Sequence, residues 1–165
     1  MKANQYNKLT EFAQELLTKH SLEEGMPLIS KYVKDVIGAQ RCSIFMYDNL
    51  KQELWTTLAD GVERIIVPSD KGLVGYTIKI KKPVITNEAY AHKEFLEEVD
   101  KHTGYKTKNL VTAPIFDSER KIIGVLELLN KEGGFDEEDV KFMIFFAHYV
   151  SGFLELLNIY EMRED

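Results

Sequence analysis

A single cysteine, Cys42, among 165 residues leaves no partner for an intrachain disulfide and too few thiolates for a cysteine-based zinc cluster. It also excludes chemistry that needs a second cysteine in the same chain, and it fits a cytoplasmic setting. Basic side chains are outnumbered, 21 Lys and Arg against 27 Asp and Glu, for a net charge of −6. That balance argues against broad nucleic-acid binding, which calls for a basic face. Proline is scarce, and no Pro/Gly/Ser-rich linker, internal repeat or low-complexity segment divides the chain. The first residues, Met1-Lys2-Ala3-Asn4-Gln5, lead into a polar amphipathic pattern without an apolar run of signal-peptide type. The longest apolar run, around Met143 to Val150, falls far short of the roughly 20 residues of a membrane span, and His148 interrupts it. What remains is the pattern of one globular domain over residues 1–165, 44 % apolar and long enough to bury a core unaided.

The ends of the chain read as helices. Leu9, Phe12, Ala13, Leu16 and Leu17 fall on one stripe at helical spacing. Ser21 with Glu24 three residues on is a capping box for a second helix, although Pro27 lies deeper than the first turn and allows a start nearer Glu24 or Gly25. That helix turns Leu28, Ile29, Tyr32, Val33, Val36 and Ile37 inward and stops at Gly38. A third helix opens at Asp136, a good N-cap with an acidic first turn behind it, and runs to about Tyr160. It is apolar over more than one face, through Phe142, Met143, Phe145, Phe146, Tyr149, Val150, Phe153, Leu154 and Leu157. Such a helix needs several neighbours, so the terminal helices are expected to pack against a second copy of the chain as well as the core.

Between them lie short β-type runs: 41–47, 54–58, 64–67, 83–86, 110–115 and 122–129, with turns at Asp48-Asn49, Asp60-Gly61 and Asp117 to Arg120. Residues 72–81 carry conflicting signals. Ile78 and Ile80 alternate like a strand, while Ser69-Asp70 precede them like a helix start. Lys93 to His102 is polar and reads as helical. The order makes an α+β domain built on an antiparallel sheet.

Several stretches, in this order, resemble one family: Cys42-Ser43-Ile44-Phe45, Gly72-Leu73-Val74-Gly75-Tyr76, Asn87-Glu88-Ala89-Tyr90-Ala91-His92, the run from Val99 to Leu110, and Gly124 to Lys131. The sequence is similar to GAF domains, in particular the cyclic-nucleotide-binding kind of phosphodiesterases and bacterial adenylyl cyclases, over about residues 9–157. The resemblance implies a central antiparallel sheet with both terminal helices on one face. On the other face it implies a ligand pocket under short helices and loops, and it makes the segment after Gly72 a helix. It implies a pocket of Ser43, Asp60, Leu73, Val74, Asp100, Thr103, Thr107 and Glu127, with cAMP or cGMP as ligand. The chemistry is coherent, because backbone N–H groups at a helix start suit a cyclic phosphate and an apolar slot with a few polar groups suits a purine. The family also carries an Asn-Lys…Phe…Asp-Glu latch between the last strand and the final helix. Asn130-Lys131 and Asp136-Glu137 match its ends across a shortened loop, with the phenylalanine displaced to position 135, so the implied ion pair is Lys131 with Asp136.

Catalysis finds little support in the residues. Cys42 lies in an apolar strand, where an inert thiol is expected rather than a nucleophile. His20, His92, His102 and His148 have no metal-ligand spacing. The expected function is therefore a non-catalytic sensor that signals through terminal helices in a homodimer to an effector in trans or on a longer chain. The alternative is a dimerisation module whose pocket is vestigial or takes another small ligand. No nucleic-acid or membrane partner is expected.

Overall fold

A computed structural model of the chain describes residues 3–57, 64–97 and 104–164. Helix α1 covers Ala3–Leu16 and α2 Leu22–Ile37. Strands β1 (Ala39–Asp48), β2 (Glu53–Thr57) and β3 (Arg64–Pro68) follow, then α3 (Gly72–Ile80), β4 (Val84–Thr86) and a 3-10 turn at Ala89–Ala91. Strands β5 (Leu110–Phe116) and β6 (Ile122–Lys131) lead to the long helix α4, Glu137–Glu164. The six strands form one antiparallel sheet in the order β3-β2-β1-β6-β5-β4.

The capping box forms as its spacing demands. Ser21 Oγ accepts from Glu24 N at 3.2 Å, and Glu24 Oε2 accepts from His20 N at 3.0 Å. The helix therefore begins at Leu22, and the later start suggested by Pro27 is overruled by the cap. Gly38 ends it in the left-handed region at φ 86°, with its N–H on Lys34 O. Leu17 lies beyond the last turn of α1 and is 79 % exposed, and Val36 faces outward, so both leave the inward stripes that helical spacing assigns them.

Helices α2 and α4 cover one face of the sheet, with α1 against α2. Even-numbered positions of β1 and β6, such as Ile44, Met46, Leu126 and Leu128, enter this core. Phe12, Tyr32 and Phe146 pack ring to ring at centroid distances of 4.4–5.4 Å and join the three helices. Phe146 is fully buried, and its truncation to alanine would cost about 3–5 kcal/mol. Helix α4 is long and apolar enough, by length and composition, to cross a membrane, beyond what the run from Met143 to Val150 suggests. Its apolar length has a reason inside the fold. Met143, Phe146, Ala147, Val150 and Leu154 form the row that fills the core, and a second row faces out.

The other sheet face takes α3, which settles the conflict over residues 72–81 in favour of a helix. Thr77 and Thr112, both fully buried, hydrogen-bond through their hydroxyls and tie α3 to β5. Gly75 permits the close approach of the preceding turn, since a Cβ there would lie 2.6 Å from Ser69 O. Of the expected helix over Lys93 to His102, residues 93–96 make a turn and an irregular stretch, Glu97 is helical, and 98–103 lie outside the described residues. His92 N and Phe95 N bond Ala89 O and His92 O, which closes local turns ahead of Glu97.

Candidate functional site

Strand alternation builds the floor of a cavity. With Ile44 and Met46 turned into the helical core, Ser43, Phe45 and Tyr47 face α3, and the same rule turns Val125, Glu127 and Leu129 to that side. The antiparallel register then sets Ser43 opposite Glu127, and Thr112 opposite Glu127 on its other flank. A row of polar side chains, Ser43, Glu127 and Thr112, thus crosses the sheet face.

Between this face and α3 lies a cavity of about 370 Å³. That volume falls within the roughly 300–1,000 Å³ of small-molecule sites. Phe45, Glu127, Leu129, Leu110 and Leu54 form its floor, Val67 and Pro68 one wall, Phe95, Leu96 and Thr107 another, and Leu73 and Val74 its roof. Among the described residues the lining is mostly apolar, and the polar side chains on it are Lys71, Thr107 and Glu127. The start of α3 opens onto the cavity through Lys71, Gly72, Leu73 and Val74. Lys71 at the N-cap is extended, and its side chain makes no capping hydrogen bond to the first-turn N–H groups. Helix dipole, backbone donors and the Lys71 ammonium together give this end of the cavity a preference for an anion. Glu127, on the sheet floor, gives another part of the cavity a hydrogen-bond acceptor.

Of the residues expected in the pocket, Leu73, Val74, Thr107 and Glu127 come together on this one cavity. Ser43 shares their sheet face but lines a separate groove of about 500 Å³ between α2 and the β1–β2 edge. Asp60, Asp100 and Thr103 lie outside the described residues. The expectation omitted Phe45 and Leu129, although each sits two residues from an expected floor residue on the same strand and alternation alone points to it. Lys71 directly precedes Gly72-Leu73. Phe95 comes from an irregular stretch that carries no period.

The latch exists with a different partner. Lys131 Nζ lies 2.8 Å from both carboxylate oxygens of Asp139, not on Asp136. Asp136 is the N-cap instead: its Oδ1 accepts from Asp139 N at 2.9 Å, while Asp139 Oδ2 accepts from Asp136 N at 3.0 Å. The cap commits the Asp136 carboxylate to the helix start and leaves Asp139, on the first turn, to meet Lys131. The Asp139 N–H and the Lys131 charge hold the Asp136 carboxyl below its ordinary range, against a smaller desolvation effect. Phe135, just ahead of the cap, is buried. Asn130 is buried beside it and holds φ 61°, a conformation that asparagine tolerates better than most residues.

Cys42 packs against the helical core. Burial pushes its thiol up to about 12, with the Glu127 charge acting in the same sense and Ser30 and Lys34 opposing. The thiolate that nucleophilic chemistry requires is therefore scarce at neutral pH. His92 Nδ1 accepts from Glu94 N at 3.1 Å and its ring packs edge-on to Tyr76, which fits a residue of the cavity's outer layer. Among the described residues, no group of three or more His, Cys, Asp or Glu side chains is arranged to hold a metal ion.

Comparison with known proteins agrees with this architecture. A family model described as the GAF domain matches residues 21–153. The chain is 34 % identical over 126 residues to the dual 3',5'-cyclic-AMP and -GMP phosphodiesterase 11A of Takifugu rubripes, covering 67 % of this chain and 14 % of that protein. It is 34 % identical over 115 residues to a cGMP-specific 3',5'-cyclic phosphodiesterase of Drosophila virilis, covering 65 % and 13 % respectively. The matched part is thus a small fraction of these relatives' length. Among solved structures, the GAF domain of an Acinetobacter phosphoenolpyruvate-protein phosphotransferase superposes with a TM-score of 0.79 at 22 % identity, covering 98 % of this chain and 99 % of that one. A free methionine-R-sulfoxide reductase from Neisseria meningitidis gives 0.72 at 18 % identity, covering 92 % and 89 %. At such identities the likeness is one of fold.

Proposed function

This chain belongs to the GAF domain family, and from that membership and the cavity we propose that it is a non-catalytic, cytoplasmic sensor module that binds a cyclic nucleotide, cAMP or cGMP. The observation that carries the reading is the cavity itself: an apolar slot with the start of α3 and Lys71 at one end and Glu127 and Thr107 as polar points within it. The cyclic phosphate sits at the α3 start, where backbone N–H groups and the ammonium meet its single negative charge. The purine lies against Phe45 and the leucines, and Glu127 and Thr107 hydrogen-bond its polar edge or the sugar. Asp60, Asp100, Thr103 and Ser43 remain proposed contributors through the resemblance. The phosphodiesterase relatives support this ligand class because their names tie them to cyclic nucleotides.

Signalling requires that the ligand bind one state better than another, and only that difference in affinity shifts the equilibrium. The proposed output is α4 in a homodimer. Phe145, Tyr149, Gly152, Leu156 and Ile159 recur at spacings of four, three, four and three on the face of α4 turned away from the core. Leu156 is 68 % exposed, and this 3.5-residue repeat is the pattern by which helices pair. An effector in trans, or on a longer chain, would read the helix pair.

Displacement of a fluorescent cyclic nucleotide tests the reading. Saturable, competitive displacement by cAMP or cGMP is expected, with affinity weakened at least about tenfold in Glu127→Ala and Thr107→Ala, as loss of a buried hydrogen bond to a charged or polar group implies. A second reading, a dimerisation module whose cavity takes another small ligand, is favoured by the mostly apolar lining among the described residues. Dimers with no displaceable nucleotide would establish it.

A further inference from the structure

Two asparagines connect the cavity wall to the start of α4, and the pocket chemistry accounts for neither of them. The first is Asn87, just after β4 and at the head of the stretch that supplies Phe95 and Leu96 to the wall. Its side-chain Oδ1 accepts from Phe135 N at 2.9 Å and its Nδ2 donates to Phe135 O at 3.2 Å. Both ends of one amide are thus spent on the backbone of one residue in the β6–α4 connector. The approach is tight: a Cβ on Gly134 would lie 2.6 Å from Asn87 Oδ1.

The second is Asn130, at the end of β6. Its Oδ1 accepts from Lys108 N at 2.7 Å, and its Nδ2 donates to Lys106 O at 2.7 Å and to Tyr105 Oη at 3.0 Å. These residues belong to the stretch 104–109 that supplies Thr107 to the cavity. Asn109 reinforces the joint, since Lys131 N donates to its Oδ1 at 2.8 Å and its Nδ2 donates to Lys131 O at 3.1 Å. The two wall stretches are also joined directly, Ala89 N to Lys108 O at 3.0 Å. From the connector the chain of contacts reaches α4 through Lys131 and Asp139.

We propose that Asn87 and Asn130 are positioning residues that couple the cavity wall to the first turn of α4, so that a change at either is felt at the other. The proposal deepens the sensor reading by naming the route to the helix. Its test needs no ligand, so the two ideas fail separately. A contiguous network is a structural observation, and coupling must be measured by perturbing one end and reading the other.

The perturbation is Asp139→Asn in the full chain, which discharges the Lys131 ion pair from the helix side. The readout is amide hydrogen exchange at Val140 in α4 and at Ala89 and Phe95 in the cavity wall, whose N–H groups are all hydrogen-bonded. With both asparagines present, Asp139→Asn is expected to accelerate exchange at all three amides, by at least about threefold at the wall. In the Asn87→Ala background, Val140 still responds and the wall response is reduced, the Asn130 route remaining. Asn130→Gly is the second background, because glycine accepts the left-handed backbone at 130 while losing the side chain, and with both substitutions the wall response falls within experimental error. Asn87→Asp retains the acceptor for Phe135 N–H without the donor and restores part of the response. A wall that merely loosens when the asparagines are removed would exchange faster yet respond to Asp139→Asn in full, and that result overturns the proposal. So does a wall that ignores Asp139→Asn with both asparagines present.

Discussion

Removing the Asp139 carboxylate separates the latch seen in the structure from the one its sequence suggests. Asp139 meets Lys131 through two contacts of 2.8 Å, and the two side chains are 11 % and 26 % exposed. Breaking a fully buried pair costs about 3–5 kcal/mol, whereas an exposed pair contributes about 0–1. The partial burial here places Asp139→Ala between these limits, at about 2–3 kcal/mol, including the lost acceptor for Asp136 N. For a chain of this size, each kcal/mol moves Tm by about 2–4 °C, so the expected loss is roughly 4–12 °C. Asp136→Ala removes an exposed cap and is expected to cost less. Calorimetry on Lys131→Met, Asp139→Ala and the double variant gives the coupling directly. The expected interaction is about 1 kcal/mol or more, since residues in direct contact couple at about 0.5–3. Additivity within about 0.3–0.5 kcal/mol, or a larger loss for Asp136→Ala than for Asp139→Ala, would refute the assignment.

Cys42 in the folded protein is expected to react with a thiol reagent at pH 8 at least a hundredfold more slowly than in the unfolded chain; equal rates would contradict a thiol pushed up to about 12. Because folding holds that proton, the same group contributes stability that is lost as pH rises past its unfolded value near 8.5, a loss that Cys42→Ser should abolish in a Tm-versus-pH series. Asp136 works in the opposite sense: its carboxyl is lowered on folding, so its contribution is present above the ordinary value of about 3.9 and lost as pH falls below it. Asp136→Asn should flatten the acid limb of that series, and an unchanged limb would count against the cap. Gly75→Ala would press a methyl group against Ser69 O, so we expect both a lower Tm and a displaced α3, read as chemical-shift changes at Leu73 and Val74. A neutral outcome would show that the turn yields without effect.

How much of this was legible depended on whether a segment repeats a period. The capping box at Ser21 and the cap at Asp136 were legible because each rests on side chains and N–H groups only three or four residues apart. The strands were legible from short apolar runs, and β1 and β6 carry the floor of the cavity by alternation. Helix α3 was not legible locally, because nine residues with buried Leu73, Val74 and Thr77 give too few turns to outvote the alternation of Ile78 and Ile80. Only the family resemblance identified it. The latch was misassigned because two aspartates stand three residues apart, and nothing in the sequence says which one the N-cap will consume. Phe95 escaped because a residue of an irregular stretch reaches the cavity through tertiary placement alone. The roles of Asn87 and Asn130 were hidden for a related reason: their partners lie far along the chain, and an asparagine in a loop reads as ordinary turn chemistry.

The central claim, that the cavity under α3 takes a cyclic nucleotide, is tested most directly by the melting temperature of the full chain with cAMP or cGMP, against AMP and GMP as controls. A ligand that binds only the folded state at 100 times its dissociation constant adds about 2.7 kcal/mol, a rise of several degrees. The account predicts such a rise for at least one cyclic nucleotide, little for the linear ones, and its loss in Glu127→Ala. No shift with either cyclic nucleotide at millimolar concentration, in a chain that melts cooperatively, would contradict it.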